Sequence, residues 1–464
     1  MSTDRRKFLK HLGTSVLLTS ASLSSLAAKE ENEKRILRAE KRITPNDKIR
    51  IATIGMGIMG FNDTRAALTV PGVELVAACD LYKGRLDRAK EVYGNNVFTT
   101  MDHREILDRK DIDAVIIATS DNWHSQIAID AMRKGKSVYS EKPMVHKISQ
   151  GLEEIRVQQE TKMVFQVGSQ RISSIAFKKA KEMYEAGEIG KINSIEASFN
   201  RQDALGAWQY TIPLDASPQT VDWARFQANV NPKHDFDKTR FFRWRNYREY
   251  GTGVAGDLFV HLLTGIHFIT GSKGPERIYS IGDTAYWKDG RNVPDVMSAV
   301  IHYGETPEHP AFQVTLRVNF ISGEGAKTTT KIVGSEGVID LGGEGEGFTI
   351  RKNKMSVAPG IDGWDSYFTY TEAQQKALME DYNKRYTEAD KQRPSIADVS
   401  YHAPDGYNAS NEHFANFFDS IRTGKPVVED AVFGFRAAAP CLACNDSYFE
   451  NKVIHWDPVN MKIV

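Results

Sequence analysis

From Lys48 onward the chain alternates two kinds of segment. Short, nearly continuous apolar runs recur: KIRIATI from Lys48, VELVAACD from Val73, IDAVIIATS from Ile112, SVYS from Ser137 and MVFQVGSQR from Met163. Runs of this length, rich in β-branched residues and without polar alternation, predict buried parallel strands. Between them lie RLDRAKEVYG, HSQIAIDAMRKGK (ending at Gly135) and LEEIRVQQETK, whose apolar residues recur at helical spacing. Strands alternating with helices predict a doubly wound parallel sheet, which binds ligands at the carboxyl ends of its strands. Thr119, Ser120, Asn122, His124, Glu141, Lys142 and Gln170 fall at those ends.

The first strand runs directly into GMGIMG, with Gly55, Gly57 and Gly60, and a helical pattern follows. In a strand–turn–helix setting the first glycine permits the turn, the second admits a pyrophosphate and the third lets helix and strand approach. Free N–H groups at the helix start, around Ile58 and Met59, can then hold the phosphates. Asp80 ends the second strand twenty residues after Gly60, placed to accept from the adenosine ribose hydroxyls. A carboxylate there repels a 2′-phosphate, so NAD is expected over NADP. Lys83 and Arg85 nearby pull the other way.

Composition narrows the rest. Sixty Lys and Arg balance sixty Asp and Glu, which removes the basic footprint of a nucleic-acid binder. No apolar run is long enough to span a bilayer, so no stable membrane insertion is expected. Cys79, Cys441 and Cys444 cannot build a disulfide framework. The C-L-A-C pair is half of a zinc site at most, so it reads as helix packing and no metal is expected.

The first 28 residues differ from all of this. Arg5, Arg6, Lys7 and Lys10 precede a mildly apolar stretch from Leu12 to Leu26 and small residues at Ser25 and Ala27. DRRKFLK resembles a twin-arginine export signal, with Asp4 where Ser or Thr is usual, so a periplasmic destination is expected. That route carries folded proteins, which suggests a cofactor loaded before export. A charged arm spans 29–47.

In running order, GMGIMG with Asp80, ATSDNWH, the helix ending in GK, and SVYSEKP resemble the Gfo/Idh/MocA oxidoreductases. FRWRNYREYGTGVAGDLFVHLL is similar to that family's later segment, with Thr252 in place of its middle glycine, and VGSEGVIDL and the final HFANFFDSIRTGKPVVED…HWDP stretch agree. The resemblance implies a Rossmann domain (48–168), then an α/β domain (169–464) with a large open, mostly antiparallel sheet that often mediates homo-oligomers. It implies hydride transfer between a nicotinamide and a carbinol or carbonyl of a sugar or polyol. Redox-neutral NAD-dependent glycosidases or lyases are the alternative, since they resemble the same family.

Lys142 is the candidate base for oxidation and acid for reduction, because hydride transfer from a carbinol needs a proton acceptor at the hydroxyl. Asp257 and His261 lie four apart in an apolar stretch read as one helix, hence on one side of it. The resemblance makes His261 a second acid/base or hydroxyl ligand and Asp257 its orienter or a substrate binder. It also brings Arg245 to the cofactor region, while Arg171 is a candidate for substrate hydroxyls or a carboxylate. Trp123, Trp208, Trp223, Trp287 and Trp364, with Tyr210 and Tyr367, are candidate sugar-stacking platforms, although most such rings fill cores. Residues 352–409 are polar and read as an insertion, with one helix at EAQQKALMEDYNKRY, that closes over the cleft or reaches a neighbouring subunit.

Overall fold

The computed structural model describes residues 48–342, 345–361 and 363–464. The segments expected to be an export signal and a charged arm lie outside the described residues.

Six parallel strands form the first sheet: β1 (Ile49–Ile54), β2 (Val73–Cys79), β3 (Phe98–Thr100), β4 (Ala114–Ile117), β5 (Ser137–Glu141) and β6 (Phe165–Gly168). Their spatial order is β3-β2-β1-β4-β5-β6. The order reverses between β1 and β4, which opens a crevice at their carboxyl ends. Every residue of β4, β5 and β6 is buried, as the unbroken apolar runs predict. Helices cover both faces.

Two of those helices come from the far end of the chain. Ala409–Thr423 sets Phe414 and Phe417 against Tyr139 of β5, with ring centroids 4.2 and 5.8 Å apart. Its buried His413 presents a ring nitrogen to the Val167 carbonyl at 2.8 Å. Ala431–Glu450 packs Gly434 against Val167 and buries both Cys441 and Cys444, so the C-L-A-C pair is core.

A second, ten-stranded sheet contains β7 (Ile192–Asn200), β8 (Arg277–Asp283), β9 (Val296–Tyr303), β10 (Phe312–Asn319), β11 (Lys327–Gly334), β12 (Gly337–Leu341), β13 (Gly347–Lys352), β14 (Val399–His402), β15 (Ile454–Asp457) and β16 (Lys462–Ile463). Neighbours pair antiparallel except β7 with β10. In β10 burial alternates residue by residue from Phe312 to Val318, so one face meets the core and the other does not. The outer face carries Tyr279, Ile281 and Val300 exposed.

The polar 352–409 excursion leaves from β13 and returns as β14 beside it. Its helix, Glu372–Arg385, buries none of its residues.

Glu154, inside the helix Ile148–Thr161, is fully buried, and neither carboxylate oxygen has a hydrogen-bond partner. Burial pushes its carboxyl up to about 8, with the Ser125 hydroxyl nearby as the lesser, lowering influence. The folded state therefore keeps a proton that the unfolded chain loses above the ordinary carboxylate range. Stability should fall as pH rises toward 8, by up to about 1.4 kcal/mol per pH unit from this group. Glu154→Gln should flatten that slope when melting temperature is followed from pH 5 to 8. Parallel slopes in the two proteins would contradict the assignment.

Candidate active site

The crevice begins at the glycine turn. Gly55 has φ +95°, and a Cβ there would lie 2.5 Å from the Ala118 carbonyl oxygen of the β4 end. A Cβ on Gly60 would stand 1.9 Å from the Gly55 oxygen, so helix Ile58–Leu68 can approach β1 only with glycine at that place. Gly57 faces open space, the nearest atoms being the Arg85 guanidinium at 3.9 Å. That opening in front of the helix N-terminus fits a dinucleotide pyrophosphate.

Asp80 is buried and ties the turn to β2. Its Oδ2 accepts from Met56 N at 2.8 Å and its Oδ1 from Tyr82 N at 2.8 Å, while Arg85 Nη1 stands 3.5 Å from Oδ2. The carboxylate is thus oriented before any ribose arrives. Asp80→Ala should weaken NADH binding by about tenfold and narrow the gap to NADPH, as dissociation constants from nucleotide fluorescence would show. Unchanged preference would place the ribose elsewhere.

A cavity of about 940 Å³ runs from this turn across the end of β4 to the end of β5. Gly55, Gly57, Ile58, Met59, Asp80, Thr119 and Ser120 line one part of it. Glu141, Lys142, Gln170, Arg171, Arg245, Asp257 and His261 line another. Asn122 and His124 do not line it. Asn122 is engaged with Ser120 and Asn229, and the His124 ring nitrogens face the Pro143 and Thr119 carbonyls at 2.9 and 3.2 Å. These two side chains, expected as cofactor ligands, are instead braces beneath the site, because burial commits their polar atoms to protein partners.

Lys142 is buried, follows β5 and precedes Pro143 across a cis peptide bond. Its Nζ donates to the Asp257 carbonyl at 3.0 Å and to Asp257 Oδ1 at 2.8 Å. Arg245 Nε donates to the same oxygen at 3.3 Å, and its guanidinium rests 4.2 Å from the Trp244 ring centre. Burial opposes ionisation of Asp257, but the two cations outweigh it and hold the carboxyl below its ordinary range. Glu141 points the other way: its Oε1 accepts from Gln170 Nε2 at 2.7 Å, and burial pushes its carboxyl up to about 7.

Asp257 does not orient His261. Residues Ala255–Phe259 form a π-helical turn, and only from Val260 does the α-helix to Thr270 begin. Asp257 is drawn to Lys142 and Arg245, while the His261 ring sits 6.0 Å from that of Phe199. Burial, followed by the Lys142 and Arg171 charges, holds the imidazole well below its ordinary value. It is neutral at physiological pH. His267 is turned away, to the Tyr303 hydroxyl at 2.8 Å.

Thr252, the departure within the glycine segment, has a partner. Its N and Oγ1 donate to the buried Asp121 carboxylate at 2.9 and 2.7 Å, tying this turn to the β4 end. Of the candidate platforms, Trp123, Trp208 and Tyr210 line the cavity, as does Trp244. Trp223 and Trp287 pack against apolar clusters, and Trp364 is exposed on the excursion. Sequence reasoning missed Arg201 and the wall from His402 to Ser410, with Asp405 and Asn408. No local pattern marks them.

Residues 49–169 match the family model "Oxidoreductase family, NAD-binding Rossmann fold" (GFO_IDH_MocA), and residues 220–340 match "GFO/IDH/MocA C-terminal domain". Among curated proteins, the chain is 36% identical over 156 residues to Glycosyl hydrolase family 109 protein 1 of Shewanella sp. (strain MR-4), covering 30% of this chain and 33% of that protein. It is 34% identical over 145 residues to scyllo-inositol 2-dehydrogenase (NAD(+)) of Bacillus subtilis (strain 168), covering 31% and 42%. The chain thus spans between a third and less than half of the length of these relatives. In fold it is similar to levoglucosan dehydrogenase, complex with NADH and levoglucosan (TM-score 0.61, 19% identity, 88% of this chain and 99% of that one). It is likewise similar to the WlbA dehydrogenase from Bordetella pertussis in complex with NADH and UDP-GlcNAcA (TM-score 0.60, 17% identity, 88% and 99%).

Proposed function

Because this chain belongs to the Gfo/Idh/MocA oxidoreductases and carries their NAD-binding Rossmann domain, we propose that it transfers hydride between NAD(H) and a carbinol or carbonyl carbon of a sugar or polyol. The observation that carries this reading is Lys142 Nζ, held at 2.8 Å by Asp257 in the cavity that starts at the glycine turn. Bound at Gly55, Gly57, Ile58, Met59 and Asp80, NAD(H) supplies the hydride acceptor or donor. The rest falls to side chains of this chain.

Two of the tetrahedral positions of Lys142 Nζ go to Asp257 O and Oδ1. The third is left for the substrate hydroxyl, whose proton the neutral amine accepts or the ammonium returns. Asp257, kept ionised by Arg245 as well, fixes the lysine in place. The neutral His261 donates to or accepts from a neighbouring hydroxyl. Trp208, Tyr210 and Trp244 in the cavity wall are the candidate platforms for an apolar sugar face. Sugars and inositols mixed with the enzyme and NAD, followed by absorbance of the reduced nicotinamide, test this; silence across the panel with bound NAD would count against it.

The curated relatives named as glycosyl hydrolases favour a second reading, redox-neutral cleavage of a glycoside. Release of a chromogenic aglycone with no net change in nicotinamide absorbance would select it. We further propose export by the twin-arginine route, testable by cell fractionation, and homo-oligomers through the outer sheet face that carries Tyr279, Ile281 and Val300. Light scattering of the Val300→Lys variant tests the latter.

A further inference from the structure

The dinucleotide crevice has a second wall that no motif announces. Residues 215–250 leave the second domain and cross the carboxyl edge of the first sheet. At one end Val221 pairs with Tyr82, just beyond β2, in an isolated antiparallel bridge. Asp222 N donates to Leu81 O at 2.8 Å, Lys83 N to Thr220 O at 3.0 Å, and the Tyr82 hydroxyl to Asp215 at 2.7 Å. At the other end Trp123 Nε1 donates to Phe226 O at 3.1 Å, and Asn229 exchanges two 2.7 Å bonds with Asn122, beyond β4. Arg225 fixes the middle, pairing with Asp102 at 3.2 Å beyond β3.

These fastenings lie on both sides of β1, whose glycine turn lies between them. Phe226, Phe241 and Phe242 of the segment line the same cavity as Gly57 and Asp80. Phe242 also meets Tyr82 edge-on at 5.2 Å, and Arg85 lies 5.3 Å above its ring. The three phenylalanines belong to one apolar cluster with Val221, Val230, Tyr247 and Tyr250, buried between the segment and Tyr82. A ligand entering the adenosine half of the crevice is therefore covered. Leaving requires the bridge and the side-chain bonds to break and part of that cluster to meet water, which costs free energy on each count.

We propose that residues 215–250 are a strap, fastened across the β2 and β4 ends, that keeps the dinucleotide as a resident cofactor instead of a freely exchanging substrate. The inference rests on the NAD reading above. Release is then limited by local opening of the strap, in the sense of a sub-global opening with its own free energy.

The full chain, purified without added nucleotide and passed through gel filtration, should yield about one dinucleotide per chain on denaturation and mass spectrometry. Isotope-labelled NADH should exchange more slowly than one catalytic turnover. Asp215→Ala with Asn229→Ala removes one anchor at each end without touching the cavity lining, and should speed exchange by roughly tenfold or more. Tyr82 and Val221 face each other at a narrow, non-hydrogen-bonded pair, so Tyr82→Cys with Val221→Cys can be joined by a disulfide. Exchange from that one variant should be slower oxidised than reduced, a comparison that folding defects cannot imitate. Wild-type protein that binds NADH by calorimetry but exchanges it within a turnover overturns the strap and leaves the NAD reading standing. Equal exchange from oxidised and reduced forms also overturns it. Protein that takes up no dinucleotide at all overturns the NAD reading itself.

Discussion

Lys142→Met should lower kcat by about 10²–10⁴, the usual worth of a positioned proton-transfer group, while NADH binding changes by a few fold at most. Methionine keeps the apolar stem of the lysine but gives up its two bonds to Asp257 and can neither accept nor return a proton. The glycine turn and Asp80, the proposed cofactor contacts, lie on other strands. Calorimetric NADH affinity set beside single-turnover rates separates the two contributions. Equal loss of affinity and rate would mean that Lys142 holds the cofactor cleft together instead of moving a proton.

Asp257→Ala should be the most damaging single change to both stability and rate. The carboxylate lies buried between Lys142 at 2.8 Å and Arg245 at 3.3 Å. Removing it leaves two cations facing each other without their counter-charge, a loss of about 3–5 kcal/mol where a buried pair is broken from one side. The rate should fall at least as far as in Lys142→Met, since the lysine also loses its aim. The sign of the pH effect follows from the depressed carboxyl. Its stabilisation is present above the ordinary carboxylate range and is lost as pH drops below it. The wild type should therefore show a steeper acid limb of melting temperature than Asp257→Asn, which has no proton to take up there. A variant as stable and as fast as the wild type would show that the three charges are decoration.

Much of the first domain was legible along the chain because a parallel strand buried on both faces writes itself as an unbroken apolar run. GMGIMG and Asp80 were readable for a related reason: glycine at close approaches and an acid at a strand end are local demands. What escaped depends on partners far away in sequence. The four-residue spacing puts Asp257 and His261 on one side of a helix, and the resemblance makes Asp257 an orienter of His261 or a substrate binder, yet the nearer charges across the crevice, on Lys142 and Arg245, hold its carboxylate. Asn122 and His124 sit at the expected strand end, but nothing local says that Asn229 and the Pro143 carbonyl will occupy them. Helix Ala409–Thr423 carries Phe414 and Phe417 at ordinary core spacing, and that spacing does not say that the core belongs to a sheet begun hundreds of residues earlier.

The π-turn at Ala255–Phe259 holds one residue more than an α-turn would over the same rise. Deleting that residue would wind the helix on by about 100°, carrying the acid at 257 off the lysine while leaving His261 and everything beyond it in register with the second sheet. Insertions and deletions, more than substitutions, are then the economical way for descendants of this chain to uncouple proton transfer from sugar binding. A relative shorter by one residue at this place would be expected to keep its pocket and lose its chemistry.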